Sequence, residues 1–319
     1  MMEISQFAPV LIPTLNRYEH FHRCVESLSK CTHADKTDLY IALDYPANDS
    51  HWEGYNKIKE YLNEVSGFKS VKIIQRDHNY GPIQNIEDAQ QQIFLKYDRI
   101  IFSEDDNEFA PNFLDYINKG LDKFENDHSV LAICGFSYPI KIPKSYNYNH
   151  YFSKVFSAWG YGIWKSKYDD IDWSINNIKK FLKNPFNIWK IKYVPYDLLF
   201  GLFHIIKTGI ITGDRVFAFN NFLHNTYSVF PTISTVKNWG NDGSGIHCKV
   251  SKLSYILQEQ KLDKEKTFCF DNIKVKEDKN IKKSINKHFK SLLSKTIKKR
   301  LKRWIKIIYF YMCILFNKY

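Results

Sequence analysis

Residues 98–117 read DRIIFSEDDNEFAPNFLDYI. An apolar run, predicted as a strand over 98–104, ends in three successive carboxylates, Glu104, Asp105 and Asp106, before an aromatic amphipathic stretch predicted as a helix over about 111–125. One acid at this place would be explained by the preference of Asp for helix N-termini. Three acids at the end of a buried strand need another reason. Short carboxylates on a rigid strand end suit a hard divalent cation that takes its remaining ligands from phosphate oxygens.

Upstream, short β-rich runs alternate with amphipathic stretches. FAPVLIP reads as a strand and 17–30 as a helix with Phe21, Val25 and Leu28 on one face. Strands over 38–44 and 70–76 are each followed by a helix, over roughly 51–65 and 82–96. This βαβαβαβ order predicts an α/β fold whose mostly parallel sheet carries helices on both faces, with ligand chemistry at the carboxyl ends of the strands. VLAIC (130–134) extends the sheet; beyond it the pattern turns irregular and aromatic, with helices expected near 174–183 and 196–208.

The segment EDDNEFAPNFLDYI (104–117) resembles the metal-binding segment of the N-acetylglucosaminyltransferase I-like, GT-A glycosyltransferases. PVLIPTLNRYEHFHRCVESL (9–28), IALDYP (41–46) and FPTISTVKNWGNDGSGIHC (230–248) resemble the same family's first strand and helix, second strand, and P-x-I-S and glycine-rich segments. RDHNYGPIQN (76–85) resembles the N-x-G loop of family 2 glycosyltransferases. The resemblance implies a Rossmann-like GT-A fold and a nucleotide-sugar donor, with UDP as the nucleotide and Mn2+ or Mg2+ as cofactor. It implies that Asp106 ligates the metal, that Glu104 and Asp105 contact the donor or support the metal, and that Asp44 reads the base. Thr14, Asn16 and Arg17 would cradle the nucleotide. In the 76–85 loop, Asn79 and Asn85 can bond a nucleotide without adding charge, and Gly81 lets backbone approach it.

Inverting transfer needs one carboxylate beside the acceptor hydroxyl. Asp214 in ITGDRVFAF is preferred, and the cluster Asp169, Asp170 and Asp172 is the alternative. Asn238 to His247 holds three glycines and reads as a lid that excludes water, with His247 a further candidate near the metal. In SAWGYGIW (157–164), Trp159 and Gly160 suit a sugar face, since flat aromatic rings stack on sugar C–H groups; a core aromatic cluster is the plainer alternative.

At 319 residues, 44% hydrophobic and 16% aromatic, the chain can bury one large core. Its formal charge is +12, yet residues 274–319 hold fifteen Lys and Arg against Glu277 and Asp278, leaving the first 273 residues near neutral. The six cysteines form no C-x-x-C pair, which reads as reduced thiols. The expected division is a catalytic domain over 1–270, with its nucleotide-binding half over about 1–135, and a basic amphipathic tail over 271–319. In that tail Ile281, Ile285, Phe289, Leu292, Leu293, Ile297, Leu301, Trp304, Ile305 and Ile308 recur at helical spacing. Such a helix is expected to lie on an anionic membrane surface, which places the chain on the inner face of the cytoplasmic membrane, without nucleic acid as a partner. A glycan or glycolipid acceptor follows from that placement, and a catalytically silent scaffold is the competing expectation that intact acids oppose.

Overall fold

The structure, a computed structural model, describes residues 4–191, 194, 198–243, 259–292 and 297–316. Its first half follows the predicted alternation. β1 (Val10–Thr14) leads to α1 (Tyr18–Ser29), β2 (Asp38–Leu43) to α2 (Trp52–Tyr61), β3 (Ser70–Gln75) to α3 (Gly81–Phe94), and β4 (Arg99–Phe102) follows. β1 lies between β2 and β4 and pairs with both in parallel, while β3 pairs in parallel with β2. Both faces of this sheet are covered at β1, β2 and β4, which are buried almost continuously rather than alternately, while the edge strand β3 is partly exposed. Val10 and Ile12 point into the core beneath α1, α2 and the helix after the acids; Leu11 points into the opposite core, with Ala89 and Ile93 of α3. On α1 the spacing of Phe21, Cys24, Val25 and Leu28 puts all four in the first core.

After the acids the chain departs from expectation. A short strand, β5 (Asn107–Phe109), intervenes before α4 (Phe113–Lys123), and the residue that caps α4 is Asn112, not one of the triad. β6 (Val130–Cys134) joins the sheet, but β8 (Tyr161–Trp164) is inserted antiparallel between β4 and β6. The sheet order is β3-β2-β1-β4-β8-β6-β9-β7, closed at its far edge by β9 (Tyr227–Pro231) and β7 (His150–Ser153). Among the described strands, β7 and β8 alone run against the common direction, so the sheet is mostly parallel as expected. The irregular region also supplies α5 (Lys165–Asp169), α6 (Ile175–Leu182), α7 (Pro185–Ile191), α8 (Leu198–Thr208) and α9 (Gly213–Leu223). A second, two-stranded sheet pairs β5 with β10 (Val236–Asn238).

The C-terminal segment corrects one expectation. Residues 263–278 run across the body as a strap: Phe268 N donates to Asp115 Oδ2 at 2.6 Å, Asn149 N to Asp271 Oδ2 at 2.7 Å, and Phe270 stacks on Tyr116. The tail then forms two helices, α10 (Lys279–Leu292) and α11 (Ile297–Leu315). Ile281, Ile285 and Phe289 of α10 are buried in the core, Phe289 against Tyr138, so this apolar stripe faces protein and not lipid. The spacing is right for an amphipathic helix; the body supplies the apolar surface that covers it. Among the described residues, no helix is long and apolar enough to cross a membrane.

His150, on edge strand β7, is fully buried among Phe124, Phe152 and Phe270, and its Nε2 finds no hydrogen-bond partner among the described residues. Burial pushes its pKa down to about 4. A depressed folded pKa means that its contribution is present above about 6.5 and is lost as pH falls towards 4, up to about 3 kcal/mol by linkage. His150→Phe should therefore flatten the melting temperature between pH 7 and pH 4 relative to wild type, measured by thermal unfolding.

Candidate active site at the carboxyl ends of the parallel strands

The acids sit where the parallel strands β1 and β4 end side by side. Asp105 and Asp106 are buried, at 7% and 6% exposure, while Glu104 is partly exposed. Thr14, the last residue of β1, donates Oγ1 to Asp105 Oδ2 at 2.9 Å. Arg17, from the β1–α1 loop, pairs with Asp105 and lies 2.9 Å from Asp106 Oδ2. A single guanidinium thus bridges two buried carboxylates. Burial works against its charge, but Asp105 and Asp106 override that and hold it more firmly protonated than a free arginine.

One positive charge does not balance this cluster. Burial and the charge of Asp106 raise the Asp105 pKa above its ordinary value, against the opposing pull of Arg17 and Thr14. Glu104 is pushed up to about 8, first by burial, then by Asp106 and Asp105, with a further contribution from Asp214. The site therefore holds an excess of carboxylate over cation, the arrangement in which a further cation gains most.

The second wall comes from β10. Its antiparallel register with β5 sets Asn238 opposite Asn107, one residue past Asp106. Asn238 Nδ2 donates to Asp106 Oδ1 at 2.6 Å, and Trp239 N donates to Asp106 O at 2.9 Å. Gly240 then passes so close that a Cβ there would stand 2.0 Å from Asp106 Oδ2. Trp239 is fixed from three sides, by Glu108 at its Nε1 and by Arg23 and Lys237 over its ring. The start of the glycine-rich segment is thus built onto the metal candidate, which individual sequence positions did not disclose. His247, the other metal candidate, lies outside the described residues. Among the described residues, no three His, Cys, Asp or Glu side chains converge as a ready-made metal cage. Asp106 fits a cation completed by ligand oxygens, since its Oδ2 already faces a cationic group.

The remaining predicted residues divide. Asp44 closes the end of β2: its Oδ1 accepts from Tyr45 N and Tyr80 N, and its Oδ2 from Asn79. That joins the β2 and β3 loops at the carboxyl edge, and leaves Asn79 exposed. Asn16 makes no helix cap, and Gly81 opens α3 with φ of +72°. Asn85 is corrected. Its carboxamide donates to Ala42 O at 3.0 Å and accepts from Arg76 Nε at 2.8 Å, and it is buried, so both ends of the amide are taken up in bracing β2 against α3. Gly160 is likewise a packing residue, because with φ of +67° its missing side chain admits Val236 and Phe113. Trp159 packs edge-on against Phe136 at 4.7 Å but keeps part of its surface exposed.

Asp214 lies in the first turn of α9, a third exposed, with Arg215 Nε donating to it at 3.1 Å. Its charge is near enough to Glu104 to help raise that acid's pKa. Two of the three alternative acids are occupied locally. Asp169 pairs with Lys165, and Asp172 accepts from Ser174 N and Asn177 at the start of α6.

A family model described as glycosyl transferase family 2 matches residues 10–192, more than half of the chain. The chain belongs to glycosyl transferase family 2. The matched stretch takes in Thr14, Arg17, Asp44 and the triad, and stops before Asp214 and Asn238. Among solved structures, this family 2 transferase is similar to Staphylococcus aureus TarS 1-349, with 14% identity and a TM-score of 0.45 over 96% of this chain and 80% of that one. TarS 1-349 in complex with UDP-GlcNAc aligns at 16% identity and a TM-score of 0.36, over 51% of this chain. The mannosyltransferase PcManGT from Pyrobaculum calidifontis, in complex with GDP-Man and Mn2+, aligns at 12% identity and a TM-score of 0.36, over 50% of this chain. The alignments span 45% of that mannosyltransferase and 29% of TarS in a further structure. No curated protein matches the sequence of the transferase.

Because Gly240 leaves no room for a side chain beside Asp106, Gly240→Ala should displace the carboxylate or the loop at about 1–3 kcal/mol. The expected result is a lowered melting temperature together with loss of most transferase turnover, while far-UV circular dichroism stays that of the wild type.

Proposed function

We propose that this family 2 transferase is an inverting enzyme that moves a sugar from a nucleotide-sugar, with UDP as the nucleotide, to a glycan acceptor in surface polysaccharide or lipopolysaccharide assembly. The observation that carries the reading is the buried Asp105–Asp106 pair held at the strand ends by Thr14, Arg17 and Asn238, with Asp214 near enough to act on Glu104 electrostatically. Asp106, with the diphosphate oxygens, would hold Mn2+ or Mg2+. Such a cation supplies positive charge where negative charge grows on the departing diphosphate.

The chain's own residues do the rest. Asp214 takes the proton of the attacking hydroxyl as the new bond forms between the acceptor oxygen and the anomeric carbon. The bond from that carbon to the diphosphate breaks, and the nucleoside diphosphate leaves on the side of Arg17. Arg17, whose guanidinium lies beside both carboxylates, would bind phosphate oxygens of the donor. Asn79 and the backbone at Gly81 border the nucleotide, Trp159 offers an exposed ring edge to the sugar, and the segment from Asn238 restricts water. The basic C-terminal segment supports attachment to an anionic membrane surface, where a lipid-linked acceptor is found.

A panel of nucleotide-sugars tests this. Nucleoside diphosphate release should require a divalent cation, stop with chelator, and fall by about a hundredfold or more in Asp214→Asn. Full activity in Asp106→Ala, or undiminished activity after chelation, would refute it. In a second test, Arg17→Ala leaves two buried acids short of a cation, at up to about 3 kcal/mol. Mn2+ should then raise the melting temperature of Arg17→Ala by more than it raises that of the wild type.

A further inference from the structure

The membrane contact proposed above has so far only a segment, and resting on that reading we infer that it has one defined face: the outer row of α11, inserted into an anionic bilayer surface. α11 has two opposite apolar faces. Ile307, Phe310 and Ile314 are buried, and Phe310 stacks on Phe203 of α8 at 5.1 Å. Tyr311 Oη donates to Lys183 O at 3.2 Å, which ties the helix to the end of α6. This side fixes the helix to the body.

The other side has no such cover among the described residues. Ile305, Ile308, Tyr309, Met312 and Phe316 recur at i, i+3, i+4, i+7 and i+11, and four of them are more than half exposed, from 57% for Ile305 to 66% for Phe316. Leu315 adds to the row at 40% exposure. A stable helix face of this kind must meet an apolar medium or aggregate. The sequence of the same helix decides which medium. Lys298, Lys299, Arg300, Lys302 and Arg303 precede the row in sequence, Lys306 follows its first member, and α11 contains no acidic residue. A cationic segment continuous with an apolar face matches the layered chemistry of a bilayer surface, anionic headgroups above acyl chains. A second copy of the chain would bring six more positive charges and no α11 carboxylate to meet them. With α10 buried on the body and α11 lying on the lipid, the body is held directly at the surface and not on a flexible leash.

Co-sedimentation of the full chain with phosphatidylcholine vesicles, with and without phosphatidylglycerol, tests the face. The wild type should favour the anionic vesicles by about tenfold or more, a preference that falls with added salt. Ile308→Gln/Tyr309→Gln/Met312→Gln, changed only at exposed positions, should lose most of that binding while its nucleoside diphosphate release in solution stays that of the wild type. Leu95→Gln, which removes an apolar side chain that is 86% exposed on another part of the surface, should bind as the wild type does. Undiminished vesicle binding by the triple variant would overturn this face while leaving membrane attachment standing. A wild-type dimer in solution that the triple variant abolishes would assign the face to a second copy. No binding of the wild type to either vesicle would overturn attachment itself, and would leave the donor reaction untouched.

Discussion

Two carboxylates buried at the end of a parallel sheet and sharing one guanidinium are the constraint around which this chain is organised. Burying Asp105 and Asp106 is costly unless each oxygen is met by a donor or a cation. The fold meets this demand with groups from two places: Thr14 and Arg17 from the first strand and its loop, and Asn238 from the distant strand β10, beside which Trp239 N ties down the Asp106 main-chain carbonyl. The small β5–β10 sheet exists between the acids and the glycine-rich segment, so the register of three residue pairs decides whether Asn238 reaches Asp106. What remains after these contacts is a surplus of negative charge, expressed in the raised pKa values of Glu104 and Asp105. In the proposed reaction, such a surplus would favour a cation and a ligand that brings one.

The same arithmetic explains why Arg17 is an arginine. Its fork reaches both carboxylates at once, which a lysine's point charge does less well, and its charge is never lost. It stabilises the acids before a ligand arrives and suits phosphate oxygens afterwards. Asp214 stands apart from this cluster, in the first turn of α9, where Arg215 Nε donates to its carboxylate.

Much of the first half was legible in the sequence, because there every strand is a local apolar run bounded by a helix of clear period, and because the three acids are consecutive. The second half was not, for reasons particular residues make plain. Ser157 to Trp164 looks like a sugar-stacking motif since its glycines and aromatics are shared by both uses, yet its second half, Tyr161 to Trp164, is the strand that separates β4 from β6. Asn85 and Gly160 carry residue types that ligand sites favour, but their partners, Arg76 and Ala42 in one case and Val236 in the other, are set by tertiary packing. Asn238 lies 132 residues from the acid it holds, a distance no local pattern spans. In the tail, helical spacing was correct, but for Ile281, Ile285 and Phe289 the medium that covers it was not, because a hydrophobic stripe does not distinguish a protein core from a membrane; only the partner surface does.

The central claim is that the Asp105–Asp106 cluster binds a divalent cation together with a nucleoside diphosphate. Electron paramagnetic resonance of Mn2+ titrated with protein, with and without UDP, measures this without any acceptor. The account predicts bound Mn2+ whose affinity rises when UDP is added, and loss of that bound signal in Asp106→Asn with the fold intact. Binding of Mn2+ and UDP by Asp106→Asn equal to that of the wild type would contradict it.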